Sequence, residues 1–385
     1  MIESLQIKNF KCFFDAVVPF KKLTILAGAN GGGKSTVIQS LLLLKQTIDK
    51  IKDRSIRDDD SVNIKLNEIF NLNLGNSKDV TNVITDSEHI TLTVPFQNKS
   101  VSFQYSASKD EPELFICFDS DISELFALED NRLLSILSNS FHYLMAERIG
   151  PRDVQSISDQ DQIFTGFAGE YTGYAMYKSA DEKVAEEKCI YNDITGKSNL
   201  FKKQVEAWMD LILPGIEIHS NLYEEMNSAR VGLRRKGSET DYLKPPNIGF
   251  GITYVLPIIV SGLVAKENGM FIVENPEVHL HPLGQSKIGQ FLAQIAGAGI
   301  QVIIETHSEH VINGVRLAIL KDRIRHNDVI INYLNQERNT PFPNIEPITL
   351  NKEADLSKWP NGFMDQEEND LGEIFRLRRM RQKKC

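Results

Sequence analysis

The feature that most constrains the fold is a glycine-rich segment near the start of the chain. It reads GANGGGKST from Gly28 to Thr36 and matches the pattern G-x-x-x-x-G-K-[ST] in full. The apolar run LTILAG leads into it, and a helical pattern follows from about Lys34 to Lys52. A buried strand that turns through such a loop into a helix is the arrangement in which a sheet edge holds phosphate groups. The segment therefore predicts an α/β fold with a P-loop.

The residue types in this loop predict how it binds a nucleotide. Glycine lets the backbone curve closely enough for successive N–H groups to point at phosphate oxygens, and the helix adds its positive N-terminal end. Lys34 is expected to reach the β- and γ-phosphates, and Ser35 to hold Mg²⁺ through its hydroxyl. The predicted nucleotide contacts are Asn30, Gly31, Gly32, Gly33, Lys34, Ser35 and Thr36.

A second segment, Met270 to Glu274, has the pattern of an apolar strand that ends in a carboxylate. A P-loop site needs an acidic side chain from a neighbouring strand to complete the magnesium shell, and we assign this role to Glu274. Polar residues crowd the next turn, where a parallel sheet places its ligands. His279 and His281 could form a metal site there, but two histidines two residues apart with Pro282 next favour a tight turn.

A third apolar strand, Gln301 to Glu305, is followed by Thr306, His307 and Ser308. A single histidine after a strand is usually structural. Here three strand ends meet at one edge of the predicted sheet, so we expect His307 to touch the γ-phosphate or the water that attacks it.

Helices and strands alternate between residues 252 and 334, as they do in a parallel sheet. We expect this alternation to continue the sheet begun by the N-terminal strands, so that both chain ends build one core. Three runs with a period of two between residues 88 and 118 predict an antiparallel meander, and a helix is predicted over 122–139. The predicted domains are a nucleotide-binding core (1–52 and 245–335), an antiparallel β lobe that begins with a charged surface insertion at 53–87 (53–141), an inserted mainly helical lobe (142–244) and an extension with a basic tail (336–385).

Composition excludes several classes of protein. Hydrophobic residues make up 41% and charged residues 25% of the 385, and a net charge of −9 argues against a uniformly basic nucleic-acid binder. The four cysteines show no C-x-x-C spacing, so neither a disulfide framework nor a zinc site is predicted. The first residues alternate like a strand, and no apolar run approaches the roughly 20 residues that cross a bilayer. We expect a cytoplasmic protein.

Two local basic clusters are candidates for contacts with a phosphate backbone or a partner. The first consists of Arg230, Arg234, Arg235 and Lys236, and the second is the tail from Arg376 to Lys384. Binding of nucleic acid through the first cluster is one interpretation. A solvated charged face is the commoner explanation of such clusters.

The order of these segments resembles the ABC-type ATPases of the SMC, RecF and overcoming-lysogenization-defect (OLD) group. The shared features are an I-x-x-F-K-x-F strand from Ile7, the P-loop, the E-x-P-E-x-H-L-H-P block from Glu274 and the T-H-S segment from Thr306. The resemblance covers roughly residues 1–50 and 245–320. It implies a P-loop NTPase fold of ABC type, with ATP and Mg²⁺ as cofactors and ATP hydrolysis as the reaction.

The segment from Asn247 to Thr253 resembles the signature motif of this group by its place before the acidic strand. In ABC proteins that motif closes on the γ-phosphate held by the other subunit. The resemblance therefore implies nucleotide contacts from Asn247, Gly249 and Gly251. It also implies a homodimer, or a higher even oligomer, with ATP at the interface.

Two shorter segments resemble stand-alone bacterial members of the group, many of which sit in anti-phage defence operons. They are Glu147 to Arg152 and Trp359 to Asp365. This resemblance implies an antiviral role in which the ATPase controls a separate effector protein, a nuclease or a toxin.

One departure from the group concerns hydrolysis. Many members carry a second carboxylate directly after the magnesium ligand as the base for water, whereas this chain has Asn275 there. An amide cannot accept that proton usefully, so Glu277 and His307 join Asn275 as the candidate catalytic residues. We therefore predict a nucleotide-controlled switch with low turnover.

The alternative is a RecF-like repair ATPase that binds DNA directly. No heptad pattern extends beyond a few turns, so the long coiled-coil arms of SMC proteins are not predicted. A nuclease within the same chain would need a further domain, and only about 50 residues follow the last predicted strand. Asp119 and Asp121 imitate its paired carboxylates but favour a helix cap. A transporter ATPase fits the inserted middle and the histidine block poorly.

Overall fold

The computed structural model describes most of the chain. The described residues are 1–52, 61–85, 87–96, 99–107, 111–117, 122, 137, 140–160, 162–238, 241–243, 250–336 and 340–382. Two six-stranded sheets and one three-stranded sheet lie within these ranges.

The strands and helices of this part are numbered in chain order. The strands are β1 (Ser4–Phe10), β2 (Phe13–Pro19), β3 (Leu23–Gly28), β4 (Ser61–Lys65), β5 (His89–Phe96), β6 (Lys99–Ala107), β7 (Glu113–Cys117), β8 (Phe141–Leu144), β9 (Gln155–Ser156), β10 (Ile216–Tyr223), β11 (Ser228–Arg235), β12 (Met270–Glu274), β13 (Gln301–Glu305), β14 (Val329–Asn335) and β15 (Asn344–Thr349). The α-helices are α1 (Lys34–Lys52), α2 (Ser77–Val80), α3 (Thr172–Ser179), α4 (Phe201–Ile212), α5 (Phe250–Val264), α6 (Pro282–Gly297), α7 (Glu309–Leu320) and α8 (Gln366–Gln382).

The core sheet has the strand order β15-β14-β3-β13-β12-β8. All neighbours are parallel except β15, which pairs antiparallel with β14 at one edge. Its central strands are short apolar runs that are buried almost throughout, as expected of a parallel sheet covered on both faces. Because β3, β12 and β13 run in the same direction, they deliver Gly28, Glu274 and Glu305 to one edge.

Helix α1 lies between the core sheet and an antiparallel sheet of order β2-β1-β5-β6-β7-β4. Its apolar side chains share one hydrophobic core with both sheets, and the four leucines from Leu41 to Leu44 are at most 1% exposed. Thr47 Oγ1 is 2.9 Å from the hydroxyl of Tyr105 on β6. The helix that starts in the glycine loop is therefore an interior element.

The opposite face of the core sheet carries α5, α6 and α7, over which α4 and the small β10-β11-β9 sheet pack. Trp208 of α4 meets Phe291 of α6 edge to face at 4.9 Å. The buried ammonium of Lys188 donates to the carbonyls of Gly262 and Leu263, each at 3.2 Å, at the C-terminal end of α5. This contact complements the negative end of the helix.

Most predicted elements are confirmed. Helix α1 and strand β12 have the predicted bounds, the meander over 88–118 is present as β5, β6 and β7, and the alternation after residue 250 is present as α5 to β14. The predicted helix over 122–139 lies outside the described residues, apart from Ile122 and Leu137.

Two expectations were wrong. Residues 61–65, predicted as part of a surface insertion, form β4 beside β7, with Val62 and Ile64 buried. Their period of two was masked by flanking charges, and residues 53–60 lie outside the described part. Strands β1 and β2 do not begin the core sheet, since β2 pairs with β1 and β1 with β5 in the antiparallel sheet, and only β3 enters the core. Hydrophobic pattern gives strands but not the sheet they join.

Strands from outside the predicted core also enter the core sheet. Strand β8 pairs with β12, and β15 pairs with β14. The predicted domain boundaries at residues 141 and 335 do not coincide with the limits of the core sheet. They stay a prediction about which segments fold as units. Among the helices described, none is long and apolar enough to span a bilayer.

One buried histidine predicts how the fold responds to acid. His142 on β8 is 2% exposed beside Phe271, and its Nε2 has no hydrogen-bond partner in the part of the chain that the structure describes. Burial, helped by the charge of Lys188, lowers the pKa of His142 to about 4. The unfolded chain has an imidazole pKa near 6.5, so between these values it takes up a proton that the folded chain refuses, and acid lowers stability.

We expect His142 to remove up to about 3 kcal/mol of folding free energy as the pH falls from 6.5 to 4. Replacing it in His142→Gln, which cannot titrate, should flatten this part of the pH dependence. Urea unfolding midpoints of both proteins across that pH range measure the difference. Parallel curves would show that His142 is not the responsible group.

Candidate nucleotide site

The backbone of the P-loop is packed so tightly that only glycine fits at two positions. Gly28 has φ 136°, and a Cβ there would lie 2.0 Å from the carbonyl oxygen of Leu334 on β14. Gly33 has φ 95°, and a Cβ there would lie 2.7 Å from Cζ of Phe13. The loop is thus clamped between the end of β14 and the start of β2, which holds its N–H groups in place before any ligand arrives.

The predicted nucleotide contacts of the loop differ in exposure. Asn30, Gly31 and Ser35 are exposed, whereas Gly32, Gly33, Lys34 and Thr36 are buried. The hydroxyl of Thr36 accepts a hydrogen bond from Cys12 Sγ at 3.6 Å, a contact that does not use its own O–H. The Lys34 ammonium donates to the carbonyls of Gly28 at 3.0 Å and Ala29 at 2.8 Å. This places its charge inside the loop curve.

Glu305 at the end of β13 is the acidic partner of Ser35. The Ser35 hydroxyl lies 3.1 and 3.2 Å from its two carboxylate oxygens. Burial, and then the negative charge of Glu274, raise the pKa of Glu305 to about 7, against the opposing effect of Lys34. Glu305 was not predicted from the sequence, because the functional role at the end of this strand was assigned to His307. The pattern that identified Glu274, a carboxylate at the end of an apolar strand, would also have identified Glu305.

Glu274, the predicted magnesium ligand, lies directly across from Glu305 in the register of β12 and β13. Its Oε1 accepts from the Tyr143 hydroxyl at 2.9 Å, and its Oε2 accepts from the backbone N–H of Ala146 at 3.2 Å. Burial raises the pKa of Glu274 as well. The structure therefore brings Glu274 to the site but gives the direct contact with Ser35 to Glu305.

The two acids and the hydroxyl form an oxygen set of the kind that Mg²⁺ prefers. The carboxylates of the buried Glu305 and the half-buried Glu274 repel each other when both are ionised, and a cation near them would favour the ionised form of both. Together with the preformed glycine loop, this chemistry fits a magnesium nucleotide, which Ser35, Glu274, Glu305 and the loop N–H groups would hold. When bound, Mg²⁺ supplies neutralisation of the phosphate charge.

The candidate catalytic residues lie in the turns that follow β12 and β13. Glu277 accepts from the Thr306 hydroxyl and from the His307 backbone N–H, both at 2.8 Å, so each of its carboxylate oxygens is already engaged. The His307 side chain is exposed, and partial desolvation followed by the charge of Lys34 lowers its pKa. Asn275 is left-handed at φ 44°, and its buried Oδ1 finds no partner among the described residues.

Arg148 fixes the turn that carries these residues. Its side chain is 2% exposed and donates to three carbonyls, those of Met145 at 2.9 Å, Glu274 at 2.8 Å and Asn275 at 2.7 Å. Burial lowers the pKa of Arg148 to about 10, which leaves it charged at neutral pH. A charged fork that bonds two successive carbonyls sets the direction of the strand end, a role that sequence reasoning did not assign.

The remaining predicted contacts lie in the signature segment and the histidine turn. Asn247 and Gly249 lie outside the described residues, while Gly251 sits in the first turn of α5, where a Cβ would be 2.9 Å from the His279 carbonyl. The His279 ring packs edge-on to Tyr254 at 4.6 Å, and His281 Nδ1 caps α6 by accepting from Leu283 N at 3.4 Å. Across the described ranges, no three His, Cys, Asp or Glu residues are grouped to hold a metal.

The contact between Ser35 and Glu305 predicts a specific magnesium defect. Glu305→Gln should keep the shape of the side chain but remove its charge, and we expect the Mg²⁺ concentration needed for ATP binding to rise about tenfold or more. Titration of Mg²⁺ against a fluorescent ATP analogue measures this. Glu267→Gln is the control and should behave as wild type. It makes the same change just before β12, at the end of the strands opposite to the site.

The contacts of Arg148 predict that changing this residue lowers the rate of ATP hydrolysis without a comparable loss of ATP affinity. Lysine cannot bond two successive carbonyls as a planar fork, so Arg148→Lys should let the turn after β12 shift and lower the ATPase rate by about tenfold to a hundredfold. ATP affinity should change much less, because the P-loop is untouched. Arg152→Lys, an exposed neighbour, is the matched control. Equal losses of affinity and rate would contradict a positioning role.

The chain is similar to known ATPases over most of its length. It matches the family described as AAA ATPase domain over residues 1–160 and 130–312, and the family described as protein of unknown function DUF3696 over residues 324–374. The OLD nuclease of Thermus scotoductus is 22% identical over 376 residues, which cover 90% of this chain and 66% of that protein. The chain thus spans just under two thirds of that relative.

Solved structures with a similar fold are heads of SMC proteins. The Smc head domain with an extended coiled coil from Pyrococcus furiosus, bound to the C-terminal domain of ScpA, superposes with a TM-score of 0.50 at 12% identity, over 97% of this chain and 99% of that chain. An SmcHead bound to the C-winged helix domain of ScpA gives 0.49 at 14% identity, over 91% and 98%. The first likeness supports the fold alone. With the family match across most of its length, the chain belongs to the AAA ATPase domain family and is an ATP-binding ATPase, with a fold similar to that of an SMC head.

Proposed function

We propose that this protein is a slow, ATP-controlled switch that dimerises around nucleotide and acts on a separate effector, a nuclease or a toxin, in anti-phage defence. The observation that carries slow turnover is the set of contacts around the turn after β12. Asn275 stands where a catalytic carboxylate would follow Glu274, and Glu277 already accepts from Thr306 and His307. The two donors hold the Glu277 carboxylate in one orientation, so its remaining lone pairs reach an attacking water only where that water lies in line with them.

The dimer rests on the resemblance of the signature segment to that of ABC proteins. Gly251 packs the start of α5 against the turn after β12, which supports a link between this segment and the strand end of Glu274. In such a dimer Asn247, Gly249 and Gly251 of one subunit contact the γ-phosphate bound by the other. ATP binding then favours the closed dimer by its differential affinity for it.

The effector and the antiviral role rest on the segments from Glu147 and Trp359. The second segment packs on the core sheet, since Phe363 is 1% exposed, meets the ring of Tyr333 at 5.3 Å and lies close to Trp359. The nuclease named in the OLD relative belongs to that protein. Here we place such activity in a separate chain, and Asp119 and Asp121 lie outside the described residues.

Direct DNA binding through the first basic cluster is less favoured. Arg234 is paired with Glu217 at 2.5 Å and lies 4.5 Å from the ring centre of Tyr242, while Lys236 is paired with Asp210 at 2.9 Å. Two of the four charges are therefore compensated within the protein, which weakens the attraction for phosphate.

The proposal predicts that ATP and Mg²⁺ convert the protein to a dimer and that Lys34→Ala abolishes this conversion. Light scattering after size exclusion, with and without nucleotide, measures it and also reveals any companion chain. The ATPase rate should lie below the roughly 1 per second at the low end of typical enzymes and fall further in Glu277→Gln. A mass indifferent to nucleotide, or fast hydrolysis that survives Glu277→Gln, would overturn the proposal.

A further inference from the structure

Helix α8 has no cover within the described part of the chain. Every residue of Gln366–Gln382 whose burial is described is exposed, and no atom lies within 4 Å of a Cβ built on Gly372. The helix nevertheless carries five large apolar side chains that are 43–59% exposed. They are Leu371, Ile374, Phe375, Leu377 and Met380.

A helix in this situation is poorly stable by itself. Isolated helices of this length are marginal in water, and an internal glycine such as Gly372 costs about 1 kcal/mol relative to alanine. Helices in proteins owe most of their stability to an apolar face packed against something else. The exposed apolar residues of α8 therefore call for a partner surface.

The charges of α8 are divided between its two ends. Its first half carries Glu367, Glu368, Asp370 and Glu373, and its second half carries Arg376, Arg378, Arg379 and Arg381. The helix dipole favours this order of signs along the axis. It does not explain why two charges of each sign lie on the same side of the helix as Leu371, Ile374 and Leu377. Phe375 and Met380 lie about 100° and 120° away from Ile374 around the helix.

That side is centred on Ile374. At about 100° per residue, six other residues lie within about 60° of its direction. In order they are Glu367, Asp370, Leu371, Leu377, Arg378 and Arg381. The face therefore reads acidic, apolar, basic, and it is symmetric about Ile374.

A face of this kind is complementary to itself when two copies run antiparallel. Ile374 then meets Ile374 of the second copy, Leu371 and Leu377 flank that contact, and each acidic end faces a basic end. A parallel pair would set carboxylate against carboxylate and guanidinium against guanidinium. Within the described residues, Arg376 is the one arginine of α8 that forms an ion pair, with Glu373 at 2.7 Å, and both lie off this face.

We propose that α8 pairs antiparallel with α8 of a second copy of this chain, and that this contact forms without nucleotide. It is separate from the ATP-dependent contact at the P-loop. Exposed ion pairs contribute little, so the apolar centre supplies most of the affinity and the charges set direction. Because two short helices bury less than a standard interface, the pairing is weak alone and raises the effective concentration for the nucleotide-dependent contact.

The test uses the full chain with Lys34→Ala, without nucleotide, so that the P-loop contact cannot contribute. Sedimentation over a concentration series should show a monomer–dimer equilibrium. Adding Ile374→Asp should weaken it at least about tenfold. Adding Arg379→Glu, a charge change on the opposite side of α8, should leave it unchanged. The proposal would be overturned if the Lys34→Ala protein with an unchanged α8 stayed monomeric, or if Ile374→Asp left its association unchanged.

Charge exchange within one chain tests the antiparallel arrangement. Glu367→Arg alone should weaken the association, because two positive charges then face each other. Glu367→Arg combined with Arg381→Glu should recover it, which rules out misfolding as the cause, whereas a parallel pair would gain nothing from the exchange. No recovery in the double variant overturns the antiparallel pairing. These experiments contain no ATP. A failure of the proposed ATP-dependent dimer and a failure of the α8 contact are therefore seen in separate measurements.

Discussion

One buried and one half-buried carboxylate, held side by side where two parallel strands end, constrain the rest of the site. Pairing of β12 with β13 in register leaves Glu274 and Glu305 as direct neighbours, and burial raises the pKa of both. Such a pair is tolerated where hydrogen-bond donors or a cation offset the repulsion. Tyr143 and Ser35 supply donors, and Lys34 supplies positive charge. The strand order that places β13 between β3 and β12 is what makes this balance possible.

The support of the site comes from parts of the chain that are remote in sequence. Arg148 reaches carbonyls more than 120 residues away in sequence, and Leu334 of the neighbouring strand β14 closes on Gly28. Both contacts act on backbone rather than on the reacting side chains. They fix the direction in which each strand end points, which is the property that a preorganised polar site needs most.

Features formed by neighbouring residues could be predicted from the sequence, whereas contacts between distant residues could not. The P-loop, strand β12 and helix α1 were predicted with their bounds because loop, strand and helix signals stand next to one another. The contact of Ser35 with Glu305 and the bracket made by Arg148 depend on strand order and on long-range approach, which no spacing rule encodes. Strand β4 was missed for a different reason, since five residues between charged stretches give too short a period to recognise.

Helix α1 has a consequence for how the two halves of the molecule respond to one another. Its first turn belongs to the nucleotide loop, and the rest of it is enclosed by apolar side chains from both large sheets. A close-packed interior has little slack, so a tilt of α1 cannot be absorbed by solvent or by loose side chains. Any movement at Ser35 must displace one sheet relative to the other. A displacement in the phosphate site would in this way be transmitted through α1 to the antiparallel sheet.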